Sequence, residues 1–171
     1  ALVIAPTGGG KSLTYQLPAT ILDGTTLVLS PLVALMEDQV RGLAARGIEA
    51  TFIASTLDMA ERREREDAML RGRYKLVYVA PERLASDAFV SLLARCKVAL
   101  VAIDEAHCIA QWGHDFRPDY LRIGALLARL APRRVLACTA TATPAGAAGG
   151  VGRSRRRRRH RTVGTHHRHR A

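Results

Sequence analysis

The chain has 171 residues, 48% of them hydrophobic and 24% charged, with a formal net charge of +11 at pH 7. One domain of ordinary globular composition fits those figures, and collagen, a coiled coil or a wholly disordered chain does not. No apolar run reaches the roughly 18 residues needed to cross a bilayer, and the amino terminus lacks a signal peptide's order of charge followed by an apolar stretch, so a soluble, cytoplasmic protein is expected.

Residue 1 is Ala, and the chain enters an apolar strand at once from there, which suggests that an upstream part of a larger protein is absent. The first strand is expected over residues 2 to 5. It runs into Ala5-Pro6-Thr7-Gly8-Gly9-Gly10-Lys11-Ser12 and then a helical stretch, the strand, glycine loop and helix order that binds nucleotide phosphates. Thr7, Gly8, Gly9 and Gly10 would turn the backbone so that its N–H groups face a phosphate, and the helix amino terminus adds partial positive charge. Lys11 would reach the β and γ phosphates of ATP, and Ser12 would ligate Mg²⁺. Ala5 stands where the strict motif has its first glycine, and its side chain is small enough to keep the loop geometry.

Further strands are expected over residues 27 to 29, 50 to 54, 76 to 79, 100 to 103 and 135 to 138, with crossovers long enough for helices. Short apolar strands alternating with amphipathic stretches predict an α/β fold, a mostly parallel sheet with helices on both faces. Leu32, Leu35, Met36, Val40 and Leu43 recur at helical spacing, as do Phe89, Leu92 and Leu93, and Leu121, Leu126, Leu127 and Leu130; all read as core stripes. Residues 61 to 73 alternate acids and arginines and read as a solvated helix face laced with i,i+4 pairs. Ser30-Pro31-Leu32 ends the second strand, where Ser30 either caps a helix or holds a nucleic-acid phosphate. Ala80-Pro81-Glu82-Arg83 ends the fourth, and Arg83 either touches a nucleic-acid backbone or pairs with a carboxylate.

The fifth strand delivers Asp104-Glu105-Ala106-His107 to its carboxyl end, where open α/β sheets bind ligands. Asp104 would hold Mg²⁺ through water, Glu105 would orient or deprotonate the water that attacks the γ phosphate, and His107 would sense the phosphate state. Trp112 and Phe116 in the next loop offer flat faces to unpaired bases, and His114 and Arg117 offer charge or hydrogen bonds. As bare sequence it is also an ordinary aromatic loop. Thr139-Ala140-Thr141 is a hydroxyl cluster after the last strand. Cys96, Cys108 and Cys138 form no C-x-x-C pair and read as buried or half-buried thiols.

Residues 145 to 171 hold nine arginines, four histidines and no acidic residue, so the rest of the chain carries only about +2 of the +11. That tail cannot bury enough apolar surface to offset its ordering entropy and is expected to be disordered. It reads as an inert solvated tail, a phosphate-binding arm, or out-of-frame translation; the abrupt change after Pro144 points to the third.

The phosphate loop and Asp104-Glu105-Ala106-His107 together resemble a superfamily-two motor of DEAH type. The phosphate-loop stretch through Leu13-Thr14-Tyr15-Gln16-Leu17-Pro18-Ala19 narrows that resemblance, with Ser30-Pro31-Leu32-Val33-Ala34-Leu35-Met36-Glu37-Asp38-Gln39-Val40, Tyr78-Val79-Ala80-Pro81-Glu82-Arg83-Leu84, and the segment from Asp104 to Tyr120. Each of the four resembles a motif of the RecQ family of DNA helicases, over residues 1 to about 144. The resemblance implies the first RecA-like lobe of a 3′-to-5′ motor that couples ATP hydrolysis to DNA unwinding in recombination and repair, associated with the nucleoid if bacterial. Its partners would be single-stranded or forked DNA and a second RecA-like lobe carrying an arginine finger. It implies that Ser30, Arg83, Trp112, His114, Phe116 and Arg117 face DNA, and that Thr139-Ala140-Thr141 couples the two activities. The family's upstream adenine-contacting glutamine motif is absent. An RNA-directed DEAH-type motor and a noncatalytic nucleic-acid-binding remnant remain as other readings.

Overall fold

The computed structural model describes residues 1–6, 9–109 and 118–140. Thr7, Gly8, Trp112, His114, Phe116, Arg117, Thr141, the boundary after Pro144 and the basic tail lie outside the described residues. Six strands, β1 (Leu2–Ile4), β2 (Thr25–Leu29), β3 (Ala50–Ile53), β4 (Leu76–Val79), β5 (Val98–Ile103) and β6 (Val135–Thr139), alternate with five helices. The helices are α1 (Leu13–Ile21), α2 (Val33–Ala44), α3 (Met59–Leu70), α4 (Asp87–Arg95) and α5 (Arg122–Leu130), with 3₁₀ turns at Pro81–Ala85, Ala106–Ile109 and Pro118–Leu121. The strands form one sheet in the order β1-β6-β5-β2-β4-β3, and every pairing is parallel.

All six expected strands are present. The second begins two residues earlier than apolar runs alone indicate, because Thr25 and Thr26 are β-branched and are buried at 5% and 0% exposure. The fifth likewise starts at Val98, where it pairs with Thr25.

Successive side chains on a strand point to opposite faces, and the core divides accordingly. Leu27, Leu29, Val77, Val79, Val101 and Ile103 pack with Met69 of α3, Phe89 and Leu93 of α4, and Ile123 and Leu126 of α5. The alternate residues Val28, Leu76, Tyr78, Leu100 and Ala102 pack with Tyr15 and Ala19 of α1 and Met36 and Leu43 of α2. Burial on both faces is what a parallel sheet requires, and it explains why these strands are continuous apolar runs.

Two expected core residues are surface residues. Leu32 and Leu121 immediately precede α2 and α5, outside the periodic part of the helix, and are 46% and 62% exposed. The acid and arginine run does form α3, capped by the Asp58 carboxylate, which accepts from the Glu61 N–H at 2.8 Å. Its face is less solvated than expected: Arg65 pairs with Glu61, donates to the Phe52 carbonyl at 2.8 Å and lies 4.4 Å over the Phe52 ring. Cys96 is half-buried and Cys108 and Cys138 are buried, all as free thiols. Among the described residues no helix is long and apolar enough to cross a membrane.

Candidate functional site

Because every strand is parallel, the carboxyl ends of β1, β2, β4, β5 and β6 open on one edge of the sheet. The phosphate loop, Ser30, Ala80, Asp104 and Thr139 therefore meet there, although they are spread along the sequence.

The loop leaves β1 under constraint. The Ala5 N–H donates to the Thr139 carbonyl at 3.2 Å, extending the β1-β6 ladder into the loop. The Gly9 N–H donates to the Pro6 carbonyl at 2.9 Å, and a Cβ built on Gly9 would stand 2.9 Å from that same oxygen, so the turn excludes any side chain. Gly10 has φ +73°, in the left-handed region that glycine enters without penalty. Lys11 and Ser12 then open α1, and the Ser12 hydroxyl makes no helix-capping bond. The Thr14 hydroxyl donates to the Lys11 carbonyl and contacts Cys138 Sγ at 3.5 Å, which fastens the start of α1 to β6. Sequence reasoning gave Thr14 no role; a threonine three residues after the loop lysine is a back-bonding signal only once the helix start is known.

Facing the loop, Asp104 ends β5 at 6% exposure, its N–H donating to the Leu29 carbonyl at 2.8 Å. Its carboxylate accepts from the Glu105 N–H at 3.0 Å. Burial, followed by repulsion from Glu105, pushes the Asp104 carboxyl above the usual range, with Lys11 and His107 pulling the other way. Glu105 takes φ +47°, a left-handed conformation that a non-glycine residue adopts only under constraint. That turn aims its carboxylate back over the loop, with Oε1 3.7 Å from Lys11 Nζ and Oε2 3.1 Å from His107 Nδ1. His107 Nδ1 is also 3.2 Å from Thr139 Oγ1, which joins the acidic strand end to the end of β6. The structure thus brings Lys11, Glu105, His107 and Thr139 into one chain of contacts.

Lys11 Nζ is buried and, among the described residues, makes no hydrogen bond and has one loose ion pair, at 3.7 Å. A buried ammonium without a hydrogen-bond acceptor is costly unless an anion completes it. With the Cβ-excluding turn at Gly9, this fits a polyphosphate against the loop. Among the described residues no group of three His, Cys, Asp or Glu is arranged to hold a metal. Mg²⁺ needs no such cage, since it takes one or two protein oxygens and completes its shell with phosphate and water, and the Asp104 carboxylate and Ser12 hydroxyl are donors of that kind.

The other expected contacts divide. Ser30 is 1% exposed at the end of β2, with its N–H donating to the Val79 carbonyl at 3.1 Å and its hydroxyl without a partner among the described residues. Arg83 is turned inward, with Nη2 3.3 Å from Glu66 Oε1 and the guanidinium 5.0 Å from the Phe89 ring centroid. Of its two readings, the carboxylate pair is the one present in this structure.

The comparisons with known proteins agree with this arrangement. The DEAD/DEAH box helicase family matches residues 1–148. The ATP-dependent DNA helicase RecQ of Haemophilus influenzae is 49% identical over 142 residues, 83% of this chain and 23% of that protein. The corresponding protein of Bacillus subtilis is 54% identical over 141 residues, 82% of this chain and 24% of its own length, and the ATP-dependent DNA helicase Q5 of Rattus norvegicus is 51% identical over 82% of this chain and 15% of its own. The chain thus spans about a quarter or less of the length of these relatives. Among solved structures, the Mycobacterium smegmatis helicase Lhr bound to ssDNA and AMP-PNP superposes with a TM-score of 0.64 at 28% identity, covering 84% of this chain and 21% of that one. The Pyrococcus furiosus Hef helicase domain shares the fold at a TM-score of 0.62 and 23% identity, covering 85% of this chain and 31% of that one. A parallel sheet of RecA-like order, a glycine loop set against an Asp-Glu-Ala-His strand end, and a match through residue 148 lead to one conclusion: the chain belongs to the DEAD/DEAH box helicase family and within it resembles the RecQ helicases.

Proposed function

We propose that this chain carries the ATP-binding lobe of an ATP-dependent 3′-to-5′ DNA helicase of RecQ type, a motor that unwinds DNA in recombination and repair. The observation that carries the reading is the buried Lys11 amine, without a hydrogen bond among the described residues, held between a side-chain-excluding glycine turn and Glu105. Lys11 leaves Glu105 for the β and γ phosphates, while the N–H groups of the loop and the start of α1 receive the remaining phosphate charge. Ser12 and Asp104 would hold Mg²⁺, which would supply positive charge against the phosphate oxygens and the leaving group. Glu105 orients the attacking water and takes its proton, and His107, bound to Thr139, passes the state of the site toward β6.

The lobe is assigned to residues 1 to 144, with the arginine-rich segment from 145 to 171 outside it. DNA, single-stranded or forked, is assigned to the strand ends at Ser30 and Arg83 and to Trp112, His114, Phe116 and Arg117. A second RecA-like lobe would close the other side of the site and bring an arginine to the transition state. The relatives named ATP-dependent DNA helicase favour DNA over RNA as the track.

The test is ATP hydrolysis by the purified chain with and without single-stranded DNA, with Lys11→Ala as the blank, alongside Mg·ATP binding. Lys11-dependent binding, with hydrolysis that DNA stimulates more than RNA does, supports the reading. Nucleotide binding that survives Lys11→Ala, or DNA binding that vanishes with residues 145–171 alone, would favour a basic nucleic-acid-binding remnant.

A further inference from the structure

The start of α1 carries a polar tie that the nucleotide chemistry does not use. Gln16, five residues beyond Lys11, donates through Nε2 to the Tyr78 hydroxyl at 3.1 Å and to Gln39 Oε1. Tyr78 lies on β4 at 1% exposure, and Gln39 lies on α2. The Tyr15 and Tyr78 rings meet edge to face with centroids 6.3 Å apart. Burial pushes the Tyr78 hydroxyl up to about 12 and that of Tyr15 higher, so both stay neutral and able to donate. Three elements, α1, α2 and β4, thus share one part-buried network. A network of that kind is costly to leave half made, because each orphaned polar atom keeps its dehydration penalty. Such a tie selects one mutual placement of the elements it joins.

The identity of those elements gives the tie its meaning. The phosphate loop opens α1. Ser30-Pro31-Leu32 leads into α2, whose Met36 N–H donates to the Leu32 carbonyl at 3.0 Å. Tyr78 stands two residues before Ala80, the residue that starts the Pro81–Ala85 turn carrying Arg83. One glutamine side chain therefore joins the nucleotide end of α1 to α2, which follows Ser30, and to β4, which runs into the turn carrying Arg83.

We propose that Gln16 is a positioning residue that couples nucleotide occupancy of the phosphate loop to the hold of the Ser30 and Arg83 strand ends on DNA, an inference that rests on the function proposed above. A glutamine suits the task because its amide N–H groups satisfy two acceptors on different elements at once. A leucine of similar size fills the same space without tying them.

The experiment measures linkage in the full 171-residue chain. Dissociation constants for a fluorescent ADP analogue with Mg²⁺ are read with and without saturating oligo-dT, and for the oligonucleotide with and without nucleotide. Thermodynamic reciprocity requires the two ratios to agree. The wild-type chain is expected to show a ratio of about 5 or more, the lower end of measured couplings between sites. In Gln16→Leu and Tyr78→Phe the ratio falls to near 1, while each separate affinity stays within about twofold and the unfolding midpoint falls by about 2 to 4 °C, the cost of the broken hydrogen bonds. Tyr78→Phe removes one hydroxyl and keeps the buried ring, so it tests the tie even if Gln16→Leu folds poorly. Contact between the arginine-rich segment and DNA enters both oligonucleotide affinities alike and cancels in the ratio. A ratio retained in Tyr78→Phe, or a wild-type ratio of about 1 with both ligands bound, overturns the inference; so does a uniform loss of both affinities with an unchanged ratio, the signature of a merely structural residue. A chain that binds no nucleotide overturns the parent reading instead.

Discussion

Glu105→Gln separates two roles proposed for one carboxylate, counterion of Lys11 and proton acceptor for water. The Glu105 Oε1 to Lys11 Nζ separation is 3.7 Å, with the side chains 21% and 10% exposed. At an effective dielectric of about 20, that pair is worth about 4 to 5 kcal/mol of gross attraction. Dehydration of two largely covered charges offsets most of it, leaving about 1 kcal/mol, and the pair must open before Lys11 can serve a phosphate. The amide also removes a negative charge from beside the incoming polyphosphate. Both effects act in the same direction, so Glu105→Gln binds a fluorescent ADP analogue about fivefold more tightly than wild type, by the conversion of about 1.4 kcal/mol per tenfold. The same substitution abolishes the proton acceptor, and single-turnover hydrolysis falls by about 10² to 10⁴. Equilibrium fluorescence titration and quench-flow measure the two effects independently. Weaker nucleotide binding in the variant would refute the picture of Glu105 as a counterion that Lys11 must leave, and undiminished hydrolysis would refute its role toward water.

Three other substitutions probe individual contacts. Gly9→Ala drives a Cβ against the Pro6 carbonyl at 2.9 Å and should weaken nucleotide binding by roughly tenfold or more, with the unfolding midpoint nearly unchanged because the loop is peripheral to both core layers. Glu66→Ala leaves the Arg83 guanidinium half-buried without its carboxylate and should cost about 1 to 2 kcal/mol in urea unfolding; a change within about 0.5 kcal/mol would show that the pair is incidental. Asp104→Asn removes a charge that burial and Glu105 disfavour, so the variant without nucleotide should unfold at a higher temperature than wild type while losing the Mg²⁺ dependence of its nucleotide affinity. A lowered midpoint in calorimetry would overturn that balance of charges.

The fold was legible in the sequence where burial is two-sided. The four-residue apolar run from Leu76 to Val79 and the run over residues 100 to 103, each set between helical stretches, read as strands buried on both faces of a parallel sheet. Polar strand ends were harder to read, since Thr25 and Thr26 are strand residues by shape and not by hydropathy. The glycine loop and the Asp104-Glu105 pair were readable because each is a run of consecutive residues at a strand end. Arg83 was not decidable locally, because its partner Glu66 lies on another helix and chain spacing says nothing about that approach. The contacts among Gln16, Gln39 and Tyr78 left no signature for the same reason. Each residue obeys its own local pattern, and only the folding of α1 and α2 onto one face brings them together. Leu32 and Leu121 misled through periodicity alone, which runs smoothly past a helix start that the backbone does not.

The strand that launches the phosphate loop is the shortest in the sheet, and among the described residues it pairs with a single neighbour through three register positions, Leu2 with Ala137, Val3 with Cys138 and Ile4 with Thr139. The acidic pair, by contrast, grows from β5, clasped between β2 and β6. Among the described residues the two sides of the candidate cleft therefore differ in support: the acidic side grows from a strand paired on both edges, the loop side from a strand paired on one. Local opening of β1 can release the loop without disturbing Asp104. A ligand that bound the loop would then spend part of its binding free energy on holding β1 to β6.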